Sequence, residues 1–222
     1  MQKPIIKTTA DGSNTLYVPE IDESYHSTNG AVQESLHIFI NDGFRQCKKE
    51  TIKVLEIGFG TGLNAFLTLI EAEKENKSVI YTGLEFYPVE TEEAVKLNYP
   101  ELIEADKRAE FEALHRCEWN REVKISPDFT LIKLKVDFTK TEFWEKYDII
   151  YFDAFSPEKQ PEMWSEKIFE KLYLCAGENA ILTTYCAKGI VRRALQSAGF
   201  VVERLPGPIG KREILRARKP IL

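Results

Sequence analysis

The stretch Val54-Leu55-Glu56-Ile57-Gly58-Phe59-Gly60-Thr61-Gly62-Leu63-Asn64 decides how this chain folds. An apolar run stops abruptly at three glycines in alternate positions, and a helix-forming segment begins directly behind them. Glycine allows a tight backbone turn and lets a ligand reach the main chain with no Cβ in the way. The helix start behind such a turn offers unpaired N–H groups and a partial positive charge. A carboxylate or a ribose oxygen suits that place.

The flanking segments repeat the same strand-then-helix alternation. Strands are predicted at 52–57, 79–86, 129–136, 147–152 and 180–185, with a final antiparallel pair at 200–205 and 213–218. A short hairpin partner for the third strand falls at 122–125. Helices are predicted at 63–74, 89–97, 101–115, 165–175 and 189–197. Such alternation implies an α/β fold with a largely parallel seven-stranded sheet and helices on both faces. Residues 1–50 are expected to pack on that core as a separate piece, and 51–222 to form the core itself. Within the first piece, Asp11-Gly12-Ser13-Asn14 turns between two β-prone runs. Ser27-Thr28-Asn29-Gly30 then opens a helix reaching to about residue 46, with Ala31, Leu36, Phe39, Ile40 and Phe44 on one face.

Composition narrows the class. With 222 residues and 43% hydrophobic content, the chain can bury a sizeable core. No apolar run reaches membrane-spanning length and no signal-peptide pattern precedes Asp11, so a cytoplasmic protein with no membrane partner is expected. Cys47, Cys117, Cys175 and Cys186 are far apart, and with His26, His37 and His115 they give no metal-ligand spacing. Neither a metal nor a disulfide is expected, and Cys175 and Cys186 read as small core residues. The net charge of −5 is unevenly spread: from Lys188 onward nine basic residues face two acidic ones, a balance of +7 that leaves −12 on the first 187 residues. An anionic partner would dock on one side only.

Spacing then discriminates between nucleotide cofactors. A dinucleotide fingerprint reads G-x-G-x-x-G, whereas here the third glycine arrives one residue early, with Glu56 two residues ahead of the first. Both details resemble the first motif of Rossmann-like class I S-adenosylmethionine-dependent methyltransferases, whose loop wraps the amino-acid end of the cofactor. On that resemblance Glu56, Gly58, Gly60, Gly62 and Asn64 belong to the cofactor site. Glu85, ending the second strand, is placed to accept both ribose hydroxyls. Asp137 is placed to meet the adenine amino group, with Phe138 or Phe86 packing on the ring. At the end of the fourth strand, Asp153-Ala154-Phe155-Ser156-Pro157 sets an acid, an aromatic and a proline where methyl acceptors bind in this fold. Asp153 can hydrogen-bond an amine, and Phe155 can stack on a planar base.

A narrower resemblance covers residues 15–217. Tyr25-His26-Ser27 with Gly30 and Glu34, the glycine loop, Asp153-Ala154-Phe155-Ser156-Pro157-Glu158-Lys159-Gln160-Pro161-Glu162-Met163-Trp164, Gly189-Ile190-Val191-Arg192-Arg193-Ala194-Leu195, Ala198-Gly199-Phe200 and Gly210-Lys211-Arg212-Glu213 resemble the methyltransferase domain of the bacterial tRNA 5-methylaminomethyl-2-thiouridine enzymes, the MnmC family. The departures are small: Ser156 where alanine is frequent, and Cys186-Ala187-Lys188 where small residues are more usual.

The resemblance implies methylation of the exocyclic amine of 5-aminomethyluridine, thiolated or not, at the tRNA wobble position. It adds Tyr25 and Ser27 to the cofactor site and makes Asp153 and Phe155 the catalytic pair. Asp153 is expected chiefly to position the amine and stabilise the developing ammonium. Lys188, Arg192, Arg193, Lys211 and Arg212 are expected on phosphates of the anticodon arm, with the wobble base splayed against Phe155 or Trp164. Bifunctional members carry an FAD-dependent oxidase domain; this chain resembles the stand-alone form, with no FAD and with aminomethyluridine supplied by a separate pathway. Two other readings stay open: a small-molecule amine methyltransferase or aminopropyltransferase on the same scaffold, and a cofactor-binding RNA module without turnover.

Overall fold

A computed structural model describes residues 3–142 and 145–221. The chain opens with β1 (Ile5–Thr8), β2 (Asn14–Val18) and β3 (Glu23–Ser24), a small antiparallel sheet. The turn between β1 and β2 is tied to the helix that follows, α1 (Ala31–Ser35), because Asp11 Oδ2 accepts the Gln33 N–H at 2.9 Å. That carboxylate satisfies a donor left free in the first helical turn. The helix predicted to reach residue 46 changes character instead. It continues as a π-helix over Leu36–Asn41, closed by Asp42 N–H on the His37 carbonyl at 3.2 Å, and ends in a 3-10 turn over Phe44–Gln46. A wider turn of this kind is often found at functional sites.

The core follows as β4 (Thr51–Ile57), α2 (Leu63–Lys74), β5 (Ser78–Glu85), α3 (Thr91–Ala94), α4 (Tyr99–Ile103) and α5 (Arg108–Arg116). Next come β6 (Glu122–Ser126), β7 (Phe129–Lys135), β8 (Tyr147–Phe152), α6 (Glu166–Cys175), β9 (Ala176–Thr184), α7 (Gly189–Ser197), β10 (Val201–Pro206) and β11 (Glu213–Arg218). The helix expected at 101–115 is broken at Glu104, whose backbone is extended at φ −162 and ψ 96. Among the described residues the main sheet has eight strands in the order β10-β11-β9-β8-β4-β5-β7-β6. The strand beyond the expected seven is β6, the hairpin partner of β7.

Strands β9, β8, β4, β5 and β7 run parallel, and the antiparallel pairs close the two edges. Parallel strands covered on both faces read as continuous apolar runs, and β8 shows how the two layers form. Ile149 and Tyr151 join a core with Phe39, Phe66 and Phe111, while Ile150 and Phe152 join another with Phe169, Leu172 and Leu195. Cys175 and Cys186 are buried in the second layer. The chain leaves β4 toward β5 and β7, then returns to the other side of β4 as β8. Ligands in such sheets bind at the carboxyl ends of strands where this order reverses. Here that point is Ile57 beside Phe152, one residue before Gly58 and one before Asp153.

Candidate active site

A cavity of about 590 Å³ opens at this switch point. The glycine loop forms its floor and is held by main-chain bonds. Gly58 and Phe59 N–H both donate to the Leu84 carbonyl, at 3.0 and 2.9 Å. The sequence pattern assigns the glycines to ligand approach, but the protein itself already requires them. Gly58 has φ +91, and a Cβ there would lie 2.6 Å from the Asp153 carbonyl oxygen. At Gly60, φ +47, a Cβ would meet the Tyr25 ring at 2.7 Å. The loop is thus sandwiched between the end of β8 and the N-terminal segment. Gly62 caps α2 in the left-handed region and lies outside the cavity wall.

Glu85, at the end of β5, grips the loop. One carboxylate oxygen accepts the Gly60 N–H and the other accepts the Tyr87 N–H, both at 3.0 Å. Burial raises its carboxyl above the ordinary value, with these main-chain donors opposing the rise. Phe86 N–H also favours the ionised form, and a carboxylate has acceptor sites beyond its main-chain partners for a ligand hydroxyl. Next to it Phe86 is 46% exposed at the rim and packs on Tyr87, ring centroids 4.5 Å apart. Asp137, Phe138 and Thr139 line the same end. Asp137 Oδ1 accepts both the N–H and the hydroxyl of Thr139, and these bonds with Lys140 hold its carboxyl below the usual range. Phe138 is buried, with the Lys171 ammonium 4.9 Å from its ring centre.

Asn64, on the first turn of α2, joins the two ends of the cavity. Its Nδ2 donates to Glu56 Oε1 and to Asp153 Oδ2, each at 2.9 Å. Its Oδ1 is buried and accepts no hydrogen bond from the protein. Glu56 corrects the sequence reading. It is 1% exposed and absent from the cavity wall, and it reaches the site through Asn64 and through its electrostatic interaction with Asp153. Burial pushes its carboxyl well above the carboxylate range, with Asn64 opposing and Asp153 adding to the rise.

The other end gathers side chains from distant parts of the chain. Asp153 faces the cavity, where loss of solvent pushes its carboxyl up to about 7; the Glu34 charge adds to this, while Asn64 and Lys211 oppose it. Phe155 meets Tyr25 edge-on, with ring centroids 5.0 Å apart. Ser27 lines the wall, and its N–H donates to Glu34 Oε2 at 3.0 Å. Tyr185, just past β9, donates its hydroxyl to the Ala154 carbonyl at 2.9 Å. Burial holds His26, also in the wall, down at about 4. Tyr185 has no role legible in the sequence, because nothing local marks it, and His26 enters there only as a member of the Tyr25-His26-Ser27 motif with no role attached.

Two of the residues expected on RNA lie elsewhere. Trp164 is 5% exposed, packs on Phe152 and Tyr185, and donates Nε1 to the Phe155 carbonyl at 2.8 Å. It braces the 153–157 segment from behind, with its ring in the core and outside the cavity wall. Lys211 points into the cavity, paired with Glu34 at 3.2 Å. Lys188, Arg192, Arg193 and Arg212 do not line the cavity. Lys188 pairs with Glu158 in the segment after β8, Arg192 is half-buried, and Arg193 and Arg212 are exposed.

Residues 100–220 match the profile of a family described as S-adenosyl-L-methionine-dependent methyltransferase. The chain belongs to that family. The match spans β8 and the segment that follows it but excludes the glycine loop, so it does not draw on that motif. This methyltransferase is 29% identical to a Paraburkholderia phymatum protein named tRNA 5-methylaminomethyl-2-thiouridine biosynthesis bifunctional protein MnmC, across 93% of its own length and 34% of that protein. It is 31% identical to a protein of the same name from Leptospira interrogans, across 88% of its length and 32% of that protein. The chain therefore spans about a third of these curated relatives. The crystal structure of MNMC2 from Aquifex aeolicus is similar with a TM-score of 0.76 and 26% identity, covering all of this chain and 73% of that one. Spermidine synthase from Thermotoga maritima shares the fold, with a TM-score of 0.60 and 13% identity.

The residues present fit the methyltransferase cofactor. The cavity is of ordinary size for a nucleotide ligand, and the orphaned Asn64 Oδ1 is an acceptor suited to an amino group. Among the described residues no group of histidines, cysteines and carboxylates is arranged to hold a metal, and no helix is long and apolar enough to cross a membrane.

Proposed function

We propose that this methyltransferase acts on the exocyclic amine of 5-aminomethyluridine, thiolated or not, at the wobble position of tRNA. The observation that carries the proposal is the junction at Asn64. One side chain binds Asp153 directly and leaves an acceptor free beside the glycine loop, so a donor and an amine would meet across it. The names of the curated relatives supply the substrate class.

S-adenosylmethionine, when bound, supplies an electrophilic methyl group. Asn64 Oδ1 would receive its amino group, Glu85 its ribose hydroxyls, and Asp137 with Phe86 and Phe138 its adenine. Tyr25, which packs on both Gly60 and Phe155, and Ser27 would close the cavity where its two ends meet, while Gly58 and Gly60 shape the floor. The acceptor base would lie against Phe155. An aminomethyl group resembles lysine, and stripping its proton at pH 7 costs about 4 kcal/mol in water. A closed cavity lowers that cost by disfavouring the ammonium. Asp153, raised to about 7, is matched to neutral pH as a proton acceptor. The sequence reading assigns it mainly to positioning, and the desolvation at this site favours a share in proton transfer as well.

Arg193 and Arg212 would engage phosphates of the anticodon arm from the exposed basic side. No part is assigned to a metal or to FAD. A separate cytoplasmic pathway would provide the aminomethyluridine. The test is nucleoside mass spectrometry on undermodified tRNA incubated with the protein and S-adenosylmethionine. Conversion of 5-aminomethyluridine species to their methylamino forms is expected. Cofactor binding by calorimetry without transfer to any RNA would overturn the proposal.

A further inference from the structure

The paired residues Lys211 and Arg212 look equivalent in sequence, yet they face opposite ways. Arg212 is exposed, while Lys211 enters the cavity wall. The turn between β10 and β11 enforces this. Gly210, at φ +88, presses against Asn29 so closely that a Cβ would sit 2.0 Å from the Asn29 amide nitrogen. Lys211 N–H closes the turn on the Pro208 carbonyl at 2.9 Å. The ammonium then lies 3.2 Å from Glu34 Oε1 and 4.8 Å from the centre of the Tyr185 ring. An exposed phosphate contact needs none of this clamping.

We propose that Lys211, clamped by Glu34, is a positioning residue that keeps the acceptor amine neutral beside Asp153. The inference rests on the amine-methyltransferase reading above. Glu34 and Asp153 alone would hold an incoming amine as its ammonium, which has no free lone pair. A cation paired with Glu34 and felt by Asp153 cancels one carboxylate and disfavours a second cation, the device that activates lysines beside another cationic group. The proton leaving the substrate ammonium passes to the Asp153 carboxylate and then to water. Glu34 from α1, Glu56 from β4, Tyr81 from β5, Tyr185 beyond β9 and Lys211 are the titratable groups around Asp153, with Asn64 donating to it. Lys211 itself faces Glu34, Asp153, Tyr185 and Cys186.

The test measures kcat/KM on undermodified tRNA against pH, alongside ¹³C-carboxyl NMR titration of Asp153, assigned with an Asp153→Asn variant. Lys211→Met should move the acid limb and the Asp153 titration to higher pH by roughly half a unit or more, a threefold or larger change in the ionised ratio. Glu34→Gln should move both to lower pH, the double variant should return toward the parent, and Lys211→Arg should restore the parent profile. A raised KM for tRNA with a shallower salt slope, and no movement of limb or titration, would make Lys211 a phosphate contact and overturn the inference. If the parent enzyme transfers no methyl to tRNA, the functional reading fails on its own. The Asp153 titration in Lys211→Met and Glu34→Gln then still decides the electrostatic inference, which unmoved curves would overturn.

Discussion

The two ends of the cavity are built from different materials. At the donor end, one contiguous stretch from Ile57 to Asn64 meets the ends of β5 and β7, and the main chain does the holding: two N–H groups on Leu84, one on each oxygen of Glu85. At the acceptor end Glu34, Asp153, Phe155, Tyr185 and Lys211 arrive from distant segments of the chain and touch through side chains. A site made of backbone is sensitive first to changes in local chain geometry, whereas a site made of side chains from distant segments is sensitive first to changes in their chemistry. Substitutions at the two ends should therefore fail in different ways.

The largest effect is expected from Gly58→Ala. It combines a backbone conformation that L-residues rarely adopt with a 2.6 Å approach to the Asp153 carbonyl. Strain of this kind costs on the order of 3 kcal/mol. Thermal denaturation should show a lower Tm, and calorimetry should show cofactor affinity largely abolished. Intact folding and binding with only turnover impaired would erase the contrast between the ends. Asp153→Asn should behave in the opposite manner. Turnover should fall by roughly 10²-fold or more, while cofactor Kd changes little because Asn64 keeps a partner. Its effect on stability has a defined sign. A carboxyl raised to about 7 in the folded state binds its proton more tightly there than when unfolded. Stability from this group is present in acid and lost as pH rises through about 7. The neutral amide escapes that loss, so the variant's advantage in Tm should be absent below the unfolded carboxyl value of 3.8, grow from there toward about 7 and be full at pH 8.

The same contrast explains what could be read from the chain alone. The donor end is local: the apolar run, the glycine spacing and the strand-end Glu85 lie within a few residues or one strand of each other. The parallel sheet is legible for the same reason, since each strand carries its own apolar pattern. Neighbours of like type are harder to tell apart. Lys211 and Arg212 are adjacent cations, and only the Gly210 contact with Asn29, 181 positions earlier in sequence, sends one inward. Trp164 has the aromatic face a base would stack on, but its indole N–H is claimed by Phe155 and its ring by the second core. Glu56 sits at the right distance before the loop, yet β4 is central and buries it. Tyr185 has no local signature, and Glu34 and His26 stand in the N-terminal motif without an assigned role, because their meaning comes from chain segments that meet only after folding.

The mildest change is expected on the exposed basic side. Arg193 and Arg212 are exposed and do not line the cavity. Replacing both with glutamine should leave Tm, cofactor affinity and the pH profile at their parent values. Binding of tRNA should weaken only a few-fold at physiological salt, and the slope of log affinity against log salt should become shallower by about 2, one for each phosphate no longer neutralised. Filter binding across a salt series measures this directly. Equal slopes for parent and variant would place the anionic docking surface elsewhere on the molecule. A shift in the pH profile would mean that these exposed charges reach Asp153 through solvent, against the screening expected over such distances. The acceptor end would then be tuned by the whole basic face, and Lys211 would lose the distinction that its inward placement gives it.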